Sequence, residues 1–187
     1  MTDTPWEPPL SGSEAEHLFG ALDRLRWTFR WKADGLTSEE LGTTLGTSSL
    51  TLGGLLKHLA VQEDYATTHK LTGAPMPPVW DANGWDGDDD WEFTSAASDS
   101  PSELYAVYDG AVARARAALE AYVADEGLDR QVHMAEVIGK PVNVRRIVYD
   151  MVEEYGRHTG QADLLREAVD GRVGEDPAPG WRPVPGW

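Results

Sequence analysis

Cysteine is absent from the 187 residues. That excludes a disulfide frame, a thiolate metal ligand and a cysteine nucleophile, so any thiol chemistry has to arrive on a second molecule. Cationic residues are scarce as well: Lys and Arg total 16 against 32 Asp and Glu, a formal net charge of -16. A phosphate backbone requires a basic face, which argues against nucleic acid as a partner. The acidity reads as a solvated surface that keeps the chain soluble. Apolar runs are short, none approaching the roughly 18 residues of a membrane span. The N-terminus lacks the basic-then-apolar order of a signal peptide. A cytoplasmic protein without a membrane partner is therefore expected. No G-x-S-x-G elbow is present, against a serine hydrolase, and Gly53-Gly54 lacks the Lys-Ser/Thr ending of a phosphate loop.

What is present is helical patterning on a chain long enough for one domain with its own core. The first ten residues, rich in Pro and Thr, read as an arm. A first helix begins near Ser11 or Ser13, with Glu14 and Glu16 favourable in its first turn and Leu18, Leu22, Leu25 and Phe29 inward, and fades by Asp34-Gly35. After a connection containing LTSEEL, a second helix runs from about Thr51 to Thr72, stopped by Gly73 and Pro75. Gly73 to Ser100 reads as a long loop carrying Trp80, Trp85 and Trp91, with two readings of equal weight: a lid that buries Trp85 or Trp91 beside the cavity, or Trp residues that only tie a long loop down. Ser100, Pro101 and Glu103 cap a third helix with Leu104, Tyr108, Ala111, Ala115, Ala118 and Tyr122 on its stripe. A short connection from Gly127 to Pro141 leads to a fourth helix over Val142–Val169, ended by Gly171. Residues 172–187 form a tail in which Trp181 and Trp187 tie down an extended strap. The expected fold is all-α, a four-helix bundle over residues 11–171 between the arm and the tail.

The fourth helix carries the chemistry. Ile147, Met151, Glu154, His158, Gln161 and Leu165 follow one another at spacings of four and three, a single helical stripe that should be buried. A carboxylate there costs on the order of several kcal/mol unless it is paired or bound to a cation. His58 lies among Leu52, Leu55, Leu56 and Leu59 on the second helix, with Gln62 one turn on. Two imidazoles and a carboxylate from facing helices form a first-row metal set with an open position, suited to zinc or non-haem iron. Each residue taken singly reads more readily as a hydrogen-bonded core group, and the combination is what selects a metal. Asp86, Asp88 and Asp90 alternate as in a calcium loop, but Trp91 and Ala97 stand where Gly and Glu are required. His17 and His69 read as exposed or helix-end residues, and His133 as a connection residue with no partner near it in sequence.

Four segments, LRWTFRWKADGLTSEEL, SSLTLGGLLKHLAVQEDY, WDGDDDWEF and MVEEYGRHTGQADLLREAVDG, taken in this order resemble the DinB-like (DinB/YfiT) metal-dependent four-helix-bundle proteins. The resemblance is to the actinobacterial branch related to mycothiol-dependent enzymes of the maleylpyruvate isomerase type. It implies His58, Glu154 and His158 as ligands of a divalent metal, zinc foremost, with nickel or iron as alternatives. Where related sequences read HxGH this chain reads HTGQ, which makes Gln161 a hydrogen-bonding group behind the ligands rather than a ligand. The implied activity is thiol S-transfer or thiol-dependent isomerisation, with mycothiol or a similar low-molecular-weight thiol and a small electrophile as partners. A homodimer is left open. The competing readings are a non-catalytic bundle with a structural or partner-binding role, and a metal-dependent hydrolase.

Overall fold

In the computed structural model, which describes residues 4–85, 88, 90–124, 126–184 and 187, four long helices make the bundle. They are α1 (Glu14–Lys32), α3 (Leu52–Asp64), α6 (Pro101–Val123) and α8 (Val144–Asp170). Each starts at a residue whose side-chain oxygen accepts a backbone N–H: Ser13, Thr51, Ser100 and Asn143. Ser13 and Ser100 close full capping boxes with Glu16 and Glu103. Gly171 ends α8 at φ 78°, a left-handed stop that a side chain would strain. No strand forms among the described residues, only an isolated bridge between Gln131 and Asn143.

Short helices fill the connections. LTSEEL holds α2 (Ser38–Leu41), set by a capping box between Thr37 and Glu40. The stretch expected to be one long loop contains α4 (Pro78–Asn83), α5 (Trp91–Ser95) and a 3-10 turn over Ala96–Ser98. Pro at the start of α4 presets its first φ. Trp80 then anchors it, fully buried with its indole N–H donated to Asp64 Oδ2 at 2.8 Å. The lid expectation named Trp85 or Trp91, but Trp80 is the tryptophan of this segment that is fully buried, and the other two only lean on the core. Between Gly127 and Pro141 lie a 3-10 turn, Gly127–Asp129, and α7 (Met134–Ile138). Of the residues weighed for a calcium loop, Asp86 lies outside the described residues.

The second expected helix does extend past α3, but with a change of pitch: Tyr65–Lys70 is a π-turn. Thr67 and Thr68 donate their hydroxyls to the carbonyls of Glu63 and Asp64 at 2.7 and 2.6 Å. These carbonyls are the ones the ladder would use, and the competition widens the turn.

α1 packs along α8 and α3 along α6, whereas α3 and α8 meet more sparingly. What joins α3 to α8 is polar. Glu63, with no solvent contact, takes a two-pronged guanidinium pair from Arg26 of α1 at 2.7 and 2.6 Å. Tyr155 of α8 donates its phenol to Glu63 Oε1 at 2.7 Å, and its oxygen lies 3.0 Å from the Tyr108 hydroxyl of α6. Burial, followed by the charge of Glu63, pushes the Tyr155 phenol far above its ordinary range, so it remains a donor. All four long helices thus touch one carboxylate network.

The two chain ends meet on Trp27. Trp6, Trp181 and Trp187 approach its ring at centroid distances of 5.5, 5.8 and 5.5 Å. The expected strap therefore packs, and the arm contributes a buried residue, Trp6, that no periodic pattern marks.

Removing Glu63 takes the acceptor from the Tyr155 phenol and leaves the buried Arg26 guanidinium with Asp23 as its remaining carboxylate partner. Glu63→Ala should lose roughly 3–5 kcal/mol of unfolding free energy. Urea unfolding followed by circular dichroism measures it, and a loss under 1 kcal/mol would show that the network is not what clamps the helices.

Candidate metal centre

The site lies where α3 and α8 part. His58 leaves α3 six residues before the end of that helix, and Glu154 and His158 leave α8 one turn apart. Both imidazoles reach the same carboxylate oxygen. His58 Nε2 is 3.0 Å and His158 Nε2 is 3.1 Å from Glu154 Oε1. The rings cross edge to face, with centroids 4.8 Å apart. One ligand atom from each of the three residues fits within 4.8 Å of the others. Tetrahedral zinc at its usual bond lengths has donor–donor edges of about 3.3 Å, so the cluster is of a size that suits it.

Protonation states suit a cation as well. Burial pushes the His58 imidazole below its ordinary range, overcoming the opposing hydrogen bond to Glu154. Partial burial works to raise the Glu154 carboxyl, but the His58 hydrogen bond and the two imidazoles outweigh it and hold the group below the usual carboxylate range. Neutral imidazole and ionised carboxylate are the forms a metal binds. The side chain of Glu154 is 24% exposed, so the desolvation cost expected from a fully buried stripe is reduced. The deeply buried neighbour is Tyr155.

Gln161, one turn beyond His158, presents its carbonyl oxygen to His158 Nδ1 at 2.7 Å. An amide oxygen only accepts, so this contact takes an N–H from Nδ1, and Nε2 is the ring nitrogen that faces Glu154 Oε1. Two imidazole nitrogens and a carboxylate oxygen facing one another at these distances are donors that one cation can share. The donor set therefore fits a divalent cation.

α5 closes the other side. Phe93 stacks on the His58 ring at 4.9 Å and 24°. Its approach depends on Gly54, one turn before His58, where an added Cβ would come within 3.1 Å of Phe93 Cδ1 and 3.4 Å of its Cα. Glu92, 5% exposed, points its Oε1 to within 3.9 Å of His58 Nδ1. Sequence reasoning passed over Glu92 because it follows an acidic run that reads as solvated surface. Its only signal was alternation with the two apolar neighbours Trp91 and Phe93.

A cleft of about 280 Å³ opens against Glu154, lined by Gln62, Met151, Arg146 and Arg157 among others. A larger hollow of about 740 Å³, beside Tyr122, Arg130 and His133, touches none of the three converging residues. The other histidines stay apart from the site. His17 is exposed and bonded to the Pro9 carbonyl, and His69 is exposed and stacked on Tyr65. His133 does have a neighbour in sequence, with Glu136 Oε2 at 3.3 Å from its Nδ1.

Among solved structures, the chain is similar to the crystal structure of a conserved protein from Enterococcus faecalis at a TM-score of 0.59. The match has 19% identity and covers 87% of this chain and 100% of that one. At that identity the likeness establishes a shared fold. No curated protein matches the sequence. The profile of the mycothiol-S-transferase family matches residues 17–171, a span that holds the bundle from the first turn of α1 to the glycine stop of α8 and all three converging side chains. The chain therefore belongs to the mycothiol-S-transferase family.

Proposed function

We propose that this protein is a metal-dependent S-transferase that joins the thiol of mycothiol, or of a similar low-molecular-weight thiol, to a small electrophile. The observation that carries the reading is the convergence of His58, Glu154 and His158 from two helices on one point beside an open cleft. Zinc is the metal the donor set favours, because two imidazoles and one carboxylate match its catalytic sites and leave a position free. A dication bound there lowers the pKa of a coordinated thiol, whose ordinary value near 8.5 would keep it mostly protonated at neutral pH.

The chain's own part is placement. Gln161 holds the proton on His158 Nδ1, which aims the Nε2 lone pair at the centre. Phe93 fixes the plane of the His58 ring and keeps water from that face. Gln62 and Arg157 stand at the cleft wall next to Glu154 and give a polar co-substrate hydrogen-bonding groups along its approach. With no cysteine in the chain, no protein thiol competes for the free position.

Three outcomes test the reading. Protein stripped with a chelator should lose transfer of mycothiol to a halodinitrobenzene, followed by absorbance, and regain it with one equivalent of zinc. Equal rates with and without metal would sink metal dependence. His158→Ala should show substoichiometric zinc by elemental analysis and no transfer, while its unfolding midpoint falls little because apolar packing carries a bundle. A full metal complement would make His158 a core histidine only. Gln161→Leu should weaken zinc binding by about 10–100-fold in a competition titration with a chromophoric chelator. Unchanged affinity would mean that the amide does not hold the ring.

A further inference from the structure

The polar partner of His58 on its far side is unassigned, and the structure puts one residue there. His58 Nδ1 is buried and has no hydrogen-bond partner. Facing it is Glu92 Oε1 at 3.9 Å, on a side chain that is 6% exposed. We infer that Glu92 is a positioning residue for the metal ligand His58, accepting the Nδ1 proton of that ring when Nε2 coordinates. The inference rests on the ligand reading given above.

A neutral imidazole carries one proton. While Nε2 donates to Glu154 Oε1, Nδ1 holds a lone pair that faces the Glu92 carboxylate, and at 3.9 Å the two stand beyond hydrogen-bond distance. A cation on Nε2 requires the other tautomer, with the proton on Nδ1. The same carboxylate then becomes an acceptor in the right place, and closing the gap by about 1 Å makes a charge-assisted hydrogen bond. The proton moves within one ring and no other group changes charge.

Several contacts hold the frame around the pair together. α5 carries Glu92 and Phe93 on consecutive positions, so stacking of Phe93 on the ring and delivery of Glu92 to its edge come from one element. That element is pinned on the side of Trp91, whose ring lies 4.2 Å from the buried Lys57 ammonium, itself 2.7 Å from Asp99 Oδ2. Gly54 lets the backbone of Phe93 approach α3 closely. Gln161 does for His158 with an amide what Glu92 does for His58 with a carboxylate. The two imidazoles are thereby held from behind by residues on different elements.

The test uses the full chain loaded with zinc or cobalt(II). Glu92→Ala should weaken zinc binding by about 10–100-fold in a chelator competition and alter the cobalt absorption bands, while Glu92→Gln, which keeps an acceptor, should lose less. Unfolding of each variant in chelator is measured separately. A lowered midpoint with zinc affinity within about twofold of the parent and unchanged cobalt bands would overturn the inference and leave Glu92 a structural residue. Should Glu92→Ala fail to fold, imidazole NMR of the unaltered protein decides: zinc should move the His58 proton to Nδ1 as a slowly exchanging downfield signal, and its absence would overturn the inference equally. Failure of the unaltered protein to bind zinc would refute the ligand reading itself, whereas binding indifferent to Glu92 refutes only this step.

Discussion

The carboxylate of Glu63 is the point on which the geometry of the site depends. It is buried completely, receives both prongs of Arg26 from α1, and accepts the phenol of Tyr155 from α8. A helix can rotate about its axis without losing its own ladder, so something outside the ladder must set the rotation. Tyr155 fixes it for α8 by pointing at Glu63. Glu154, the preceding residue, is turned from it by about 100° and faces the gap between α3 and α8. Glu63 likewise sets the rotation of α3, with His58 five residues earlier and turned toward the same gap. The meeting of His58 with Glu154 at 3.0 Å is thus a consequence of an ion pair that touches neither residue. Such a pair adds little net stability, since the desolvation of both charges offsets most of their attraction. What it supplies is a unique rotation.

Sparse contact between α3 and α8 is the complement of this arrangement. Two helices packed by ridges and grooves along their full length leave no room for a cation or a cleft. Here polar links hold the pair where apolar packing is thin, and α5 covers part of the gap from outside. Phe93 and Glu92 therefore do from a five-residue helix what a fifth long helix would otherwise have to do. Glycine at position 54 is the local condition for so close an approach, because a Cβ there would stand 3.1 Å from Phe93 Cδ1 and push that ring outward by a few tenths of an ångström.

The bundle and the centre of the site were legible in the sequence because both rest on helical periodicity. Ser13, Thr51, Ser100 and Gly171 carry local start and stop signals that need no tertiary contact to be read. The four-residue step from Glu154 to His158 and the three-residue step to Gln161 survive in the structure as direct contacts. α4, α5 and α7 were hidden for the opposite reason. Helices of five or six residues are too short to be stable alone or to show a period, and they exist because Trp80, Phe93 and their neighbours find partners elsewhere in the chain. Nothing local in the sequence marks Arg26 and Glu63 for burial, since their pairing depends on a contact across 37 positions. The π-turn at Tyr65–Lys70 was invisible to a stripe count because it inserts its extra residue just after the stripe has done its work.

The absence of cysteine and the form of the site belong together. A catalytic centre for an external thiol has to keep one coordination position open, and thiolate is the ligand that zinc would take most readily if the chain offered one. A cysteine on the α3 or α8 face would close the position and turn the centre into a structural one. Imidazole and carboxylate bind more weakly, so residues behind them must hold the rings in place. Gln161 contacts His158 Nδ1 at 2.7 Å, and Glu92 stands 3.9 Å from His58 Nδ1. The two contacts differ in kind, the first a hydrogen bond within α8 and the second a gap across to α5. On the reading proposed above, the ring of His158 is steadied by its own helix and that of His58 by α5, so the seating of α5 bears on one imidazole and not on the other.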